Sequence, residues 1–218
     1  MEQNYSFTET LDQIVSSINH DFEIKTDIRD KTLARSRELI RYCANSIRAT
    51  HRGEDPEALS LLQTANEIAA EMVAETQPYP DVYWAGYTQD ALKELAEAHL
   101  TRAIVQAEPL PSPESLKIEY PAYLNGLAEA AGELRRFALD ALRRGDVSQA
   151  ERILDHMDEI YTVLIAIDFP SAITGGLRRT TDMVRGVLER TRGDVTTAVR
   201  QEAMKVALER FEQRMGLE

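Results

Sequence analysis

Cysteine is almost absent from these 218 residues, with Cys43 standing alone. A single thiol excludes an internal disulfide framework and fits a reducing cytoplasm. Long apolar runs are missing too. The densest, Val163 to Ile167, is far too short to cross a bilayer, so no membrane association is expected. The start, Met1 to Thr10, is polar and acidic, and no signal or transit peptide is expected to begin there. Strand signals are lacking throughout, because no segment sustains period-2 alternation and no hairpin turn appears. Basic charge is in deficit. Twenty-five Lys and Arg against 37 Asp and Glu give −12, the wrong overall sign for a simple nucleic-acid binder. Phosphates respond to local stripes rather than to totals, so the deficit lowers the prior for such a partner without removing it.

What is present is helix. At 43% hydrophobic and 28% charged residues the chain reads as ordinary globular material, with one domain over residues 1–218. Ser6 and Glu9 have capping-box spacing ahead of Leu11, Ile14, Val15, Ile18 and Phe22 on one face. A second helix is expected from Asp27 to Arg52, burying Leu33, Ile40, Ala44 and Ile47. Pro56 suits the first turn of a third helix that ends near Thr76. Gln77 to Tyr87 holds two prolines and four aromatic residues and reads as an ordered loop. A fourth helix covers Gln89 to Gln106, until Pro109, Pro111 and Pro113 stop it. A fifth runs from Tyr120 to Gly145. The tetrapeptide Arg144-Gly145-Asp146-Val147 recurs as Arg192-Gly193-Asp194-Val195. In both copies a glycine can close one helix and an aspartate can cap the next. That punctuation predicts helices over Val147–Asp168, Leu177–Arg192 and Val195–Met215. The fold class is all-α.

Two patterns carry chemistry. Stepping about 100° per residue from Lys31, the arginines Arg37, Arg41, Arg48 and Arg52 share a strip about 60° wide. That strip lies beside the apolar face, which is centred near roughly 190°. Forked guanidinium donors along it match phosphate oxygens. Spacing alone favours the plainer reading, a solvated flank with local ion pairs such as Arg41 to Glu38. The second pattern is carboxylate. Glu94 and Glu97 lie three apart on the fourth helix, and Glu129 and Glu133 four apart on the fifth, so each pair shares a face. Adjacent helices could bring the pairs together as oxygen ligands for Mg²⁺ or Mn²⁺. The plainer alternative makes both pairs solvent faces, because helical projection sets them opposite Leu92, Ala96, Leu127 and Leu134. Glu67 and Glu71 show that such pairs arise easily.

The segment Tyr123-Leu-Asn-Gly-Leu-Ala-Glu129-Ala-Ala-Gly-Glu133-Leu-Arg-Arg136 resembles a signature of the translin and translin-associated factor X (Trax) family. Arg35-Ser-Arg-Glu-Leu-Ile40, continuing to His51-Arg52, looks like that family's basic early helix. Leu154 through Arg179 is similar to its later region. The resemblance spans most of the chain in the same order. It implies a curved bundle of about seven helices assembling into a hollow homo-octamer that binds single-stranded RNA or DNA. It further implies, for the Trax branch, a metal-dependent endoribonuclease whose acidic residues fall on Glu94, Glu97, Glu129 and Glu133. The family pattern has aspartate where Glu129 stands. Arg37, Arg41, Arg48 and Arg52 would then position the strand, and Tyr83, Trp84 and Tyr87 could stack on bases.

The first rival reading is a non-catalytic single-strand binder of the same fold, which metal-dependent cleavage separates. A second is an all-α nucleotide pyrophosphohydrolase, whose acidic pairs sit closer in sequence than Glu97 and Glu129 do. A ferritin-like di-iron protein needs Glu-x-x-His, and no acidic residue lies three before His20, His51, His99 or His156.

Overall fold

The structure, a computed structural model, describes residues 6–216; Met1–Tyr5 lie outside it, and with them the first half of the polar start. Among the described residues there are nine helices and no strand. Six are long and three are single turns. Helix α1 runs from Phe7 to Arg52, and Ser6 caps it by accepting from the Glu9 amide. The break expected between Phe22 and Asp27 does not occur. Nothing there forbids a helix, and the Thr26 hydroxyl donates to the Phe22 carbonyl while Lys25–Asp21 and Lys31–Asp27 pairs stitch successive turns. The helix ends where Gly53 takes φ +76.

The reversal at Gly53 lays α2 (Asp55–Thr76) back along α1, and the Ser46 hydroxyl donates to the Ala58 carbonyl. After the single turn α3 (Pro80–Tyr83) comes α4 (Gly86–Gln106), packed between α1 and α6. Helix α4 is buried nearly all round, with Leu92, Leu95, Ala96, Leu100 and Ile104 inside, so it shows no single apolar stripe. The turn α5 (Pro113–Leu116) leads into α6 (Tyr120–Arg143), then α7 (Val147–Ile165), the turn α8 (Ser171–Thr174) and α9 (Leu177–Met215). Helices α6, α7 and α9 pack on one another.

The two copies of Arg-Gly-Asp-Val behave differently. Gly145 takes φ +79 and Asp146 caps α7 by accepting from the Gln149 amide, as its copy predicts. Gly193 instead lies inside α9, and Asp194 pairs with Arg135 across to α6 at 2.9 Å. The last two expected helices are therefore one. A cap needs the chain to turn, and here Asp194 has a cross-helix partner instead. The result leaves two long helices whose ends pass beyond the body: residues 7–31 of α1 and about the last fifteen of α9 are almost wholly exposed. No described helix is long and apolar enough to cross a membrane.

Candidate functional site

The site begins with a glycine. A Cβ at Gly126 on α6 would lie 2.7 Å from the Lys93 carbonyl oxygen and 2.8 Å from the Ala96 Cβ on α4. Only glycine permits that approach, and buried alanines on both helices continue it. One turn beyond Gly126 stands Glu129, and facing it are Glu94 and Glu97. Carboxylate oxygens of Glu94, Glu97 and Glu129 all lie within 4.8 Å of one another. These are not solvent faces: Glu97 is only 9% exposed.

Electrostatics follow from that crowding. Burial, then the charges of Glu94, Glu129 and Glu133, push the Glu97 carboxyl up to about 8. Burial also raises Glu94, and neighbouring Lys93 partly offsets it. The Lys93 ammonium donates to Glu129 at 2.8 Å and stands 3.6 Å from Glu94. Cys43 on α1 is wholly buried, and burial together with the charges of Glu94 and Glu97 keeps its thiol protonated.

Glu133, the fourth acidic candidate, is held beside this cluster rather than in it. Its carboxylate meets the His51 Nε2 at 2.5 Å. That contact, reinforced by Arg136 and Arg48, lowers the Glu133 carboxyl below its ordinary value despite partial burial. The His51 ring packs near Phe137, and its Nδ1 is buried with no hydrogen-bond partner in the protein.

Arg37, Arg41, Arg48 and Arg52 are all exposed along the last third of α1. Arg41 pairs with Glu38 at 3.2 Å and lies over the Tyr42 ring, Arg48 donates to Asn45, and Arg52 meets Glu54 and Glu57. These partners are local and solvated, so the guanidinium groups remain accessible. Of the loop aromatics, Tyr83 donates its hydroxyl to Glu119 at 2.7 Å, whereas Trp84 is 56% exposed. Sequence reasoning passed over His51, Lys93 and the role of Gly126. His51 had a signal, since it projects at about 200° on the apolar face of its helix.

No family model matches the chain. An uncharacterized protein of Methanocaldococcus jannaschii is 30% identical over 191 residues, covering 86% of this chain and 84% of that one. Two solved structures of AfC3PO, one of them its complex with duplex RNA, match with TM-score 0.79 and 34% identity. They cover 86% of this chain and 97% of theirs. Apo-NeC3PO, at TM-score 0.77 and 20% identity over 84% of this chain, has the same fold. Fold and motif together define an all-α protein of the translin class. The chain belongs to the translin/Trax-like C3PO family.

Proposed function

We propose that this chain forms a closed oligomer that binds single-stranded RNA and cleaves it with Mg²⁺. The observation that carries the reading is the convergence of Glu94, Glu97 and Glu129, with Glu97 buried. Three carboxylates drawn together out of water repel one another unless a cation or a proton intervenes. An all-oxygen donor set suits a hard divalent ion, Mg²⁺ or Mn²⁺, better than a soft one. These three residues would hold it, with Glu133 at the margin. Bound there, the ion would supply Lewis-acid stabilisation of charge on a phosphate oxygen. The protein's own groups do the rest. Lys93 orients Glu129, His51 fixes Glu133, and the α1 arginines align the strand.

RNA as ligand is supported by the AfC3PO complex with duplex RNA. Assembly is supported by the apolar residues left uncovered on the α1 arm, Phe7, Leu11, Ile14, Ile18 and Phe22 among them. An enclosed basic lining can coexist with an acidic exterior, which accommodates the net charge of −12. One observation favours the non-catalytic binder: Lys93 already lends the cluster an internal counter-ion.

The deciding experiment incubates end-labelled single-stranded and duplex RNA with the protein in Mg²⁺, in Mn²⁺ and in EDTA. Cleavage should need the cation and favour the single strand. Glu97→Gln should abolish it while RNA binding persists. Binding without cleavage under every condition would leave a binder.

A further inference from the structure

Beside the acidic cluster, and sharing Glu129 with it, is a cavity of about 610 Å³. Its charged lining is Lys93, Asp90 and Glu129, and Trp84, Asn125 and Ile173 are among the other residues of its wall. We propose that this cavity is a nucleobase subsite, in which Trp84 stacks on the base of a nucleotide whose phosphate lies at the carboxylates. The inference rests on the reading of the acidic cluster as the cleavage site, and it adds what that site selects.

Trp84 is the chain's sole tryptophan, and more than half of its surface is exposed. An indole so exposed on a mobile tip would mean little. Here the segment is pinned on every side. The Thr88 hydroxyl donates to the Val82 carbonyl at 2.8 Å, and the Gln89 amide to the Tyr83 carbonyl at 2.9 Å. The Tyr83 ring stands edge-on to the indole, at 83° and 5.1 Å between centroids, and is itself tied to Glu119. Tyr83 is therefore the buttress and Trp84 the free face. Asn125, also in the lining, is equally fixed. Asn125 donates to the carbonyls of Pro121 and Thr174 and accepts from the Thr180 hydroxyl, which joins α6 to α8 and α9. Gly175 turns at φ +60 close by, where an added Cβ would lie 3.5 Å from the Asn125 side-chain nitrogen.

A cavity of this volume is in the range used by small ligands. Its walls combine a rigid aromatic face and exposed Ile173 with the polar side chains of Gln89 and Asn125, and carry one lysine, Lys93, and two carboxylates, Asp90 and Glu129. An aromatic face bordered by hydrogen-bonding and charged side chains suits a flat heterocycle with polar edges. Stacking on an aromatic side chain contributes about 1–3 kcal/mol per base and tolerates any base. A base can lie on Trp84 only after leaving its own stack. The subsite thus selects an unpaired nucleotide next to the cut, whatever its sequence.

The test uses the full-length protein and exploits its single indole. Oligouridylate should quench tryptophan fluorescence, and a ribose-phosphate oligomer of equal length without bases should not. Trp84→Leu should weaken oligouridylate binding, followed by anisotropy, roughly tenfold, and Trp84→Phe should retain most of it. Mn²⁺ binding by calorimetry should be unchanged in both variants, which separates this subsite from the carboxylates. If Glu97→Gln loses the cation while quenching persists, the metal reading is tested independently and the subsite stands. Bound oligouridylate that leaves the fluorescence unchanged, or a baseless oligomer that quenches equally, overturns the proposal. Quenching that follows protein concentration without RNA would assign the indole to a contact between copies, and overturns it too.

Discussion

His51 and Glu133, 82 residues apart in sequence, meet at 2.5 Å between Nε2 and Oε2. The histidine side chain is only 4% exposed, so the contact ties the end of α1 to the middle of α6 in a partly dry setting. Glu133 lies outside the three converging carboxylates, yet its charge still acts on Glu97. Glu133 then acts as a shared boundary between the arginine flank of α1 and the acidic cluster.

His51→Ala removes that partner and should cost about 1–2 kcal/mol near neutral pH, as a partly buried carboxylate loses its hydrogen bond. Glu133 is held below its ordinary value of 4.5, so its contribution to stability is present above that value and fades as pH falls beneath it. The deficit of the variant should shrink in acid. Urea unfolding at two pH values, with the Glu133 carboxyl followed by NMR, checks both statements.

Glu97 has the opposite sign. Its carboxyl is raised from 4.5 to about 8, so the unfolded chain ionises first and the folded state is increasingly penalised across that window. Glu97→Gln, nearly isosteric, should therefore stabilise the cation-free protein above about pH 8, by on the order of 3–5 kcal/mol. The gain should vanish below 4.5. Urea titrations in EDTA at both ends of the window measure it, and a gain independent of pH would contradict the assignment.

The helical class, the α7 cap at Asp146 and the shared face of Glu94 and Glu97 were legible in the sequence because each rests on local rules, whereas the meeting of Glu129 with them was implied only by the family resemblance. Periodicity, a capping side chain and i,i+3 spacing all act within a turn or two. The errors came where tertiary context decided. Gly193 resembles Gly145 in sequence, yet Arg135 gives Asp194 a partner and the helix continues. The first two expected helices are likewise one, and the apolar residues from Phe7 to Phe22 that set the first apart are exposed. Whether Glu94 and Glu97 faced solvent or Glu129 depended on Gly126, whose close approach appears only when both helices are placed.

The α1 arm makes a separable prediction. Leu11 and Ile18 are both 45% exposed and lie outside the hydrophobic core, so Leu11→Asp with Ile18→Asp should leave the stability of the body within about 0.5 kcal/mol. The same pair should lower the assembly mass seen by native mass spectrometry. An unchanged mass would remove this arm from the interface.

Arginines on the flank of α1 should reveal themselves through salt. Each phosphate contact on a single strand contributes about 0.7 to the slope of log affinity against log salt. Replacing Arg41 and Arg48 by Ala should then flatten that slope by roughly 1.4 and weaken binding to many sequences alike. Unchanged affinity would return the stripe to a solvated flank held by Glu38 and Asn45.

Two glycines on α6 provide an internal control for how the site is built. At Gly126 an added methyl would meet backbone, 2.7 Å from the Lys93 oxygen and 3.0 Å from the Glu97 nitrogen, and neither can step aside. Gly126→Ala should therefore push α4 and α6 apart and destabilise by about 1–3 kcal/mol. It should also draw Glu129 away from Glu94 and Glu97, so that Mn²⁺ binding falls with stability. At Gly132, on the same helix, an added Cβ meets nothing within 4 Å. Gly132→Ala should stabilise by about 0.5–1 kcal/mol through helix propensity alone, and leave Mn²⁺ binding unchanged. Opposite signs for one substitution on one helix isolate close approach from helix propensity. If Gly126→Ala proved neutral in both measurements, the carboxylates would owe their convergence to something other than this crossing.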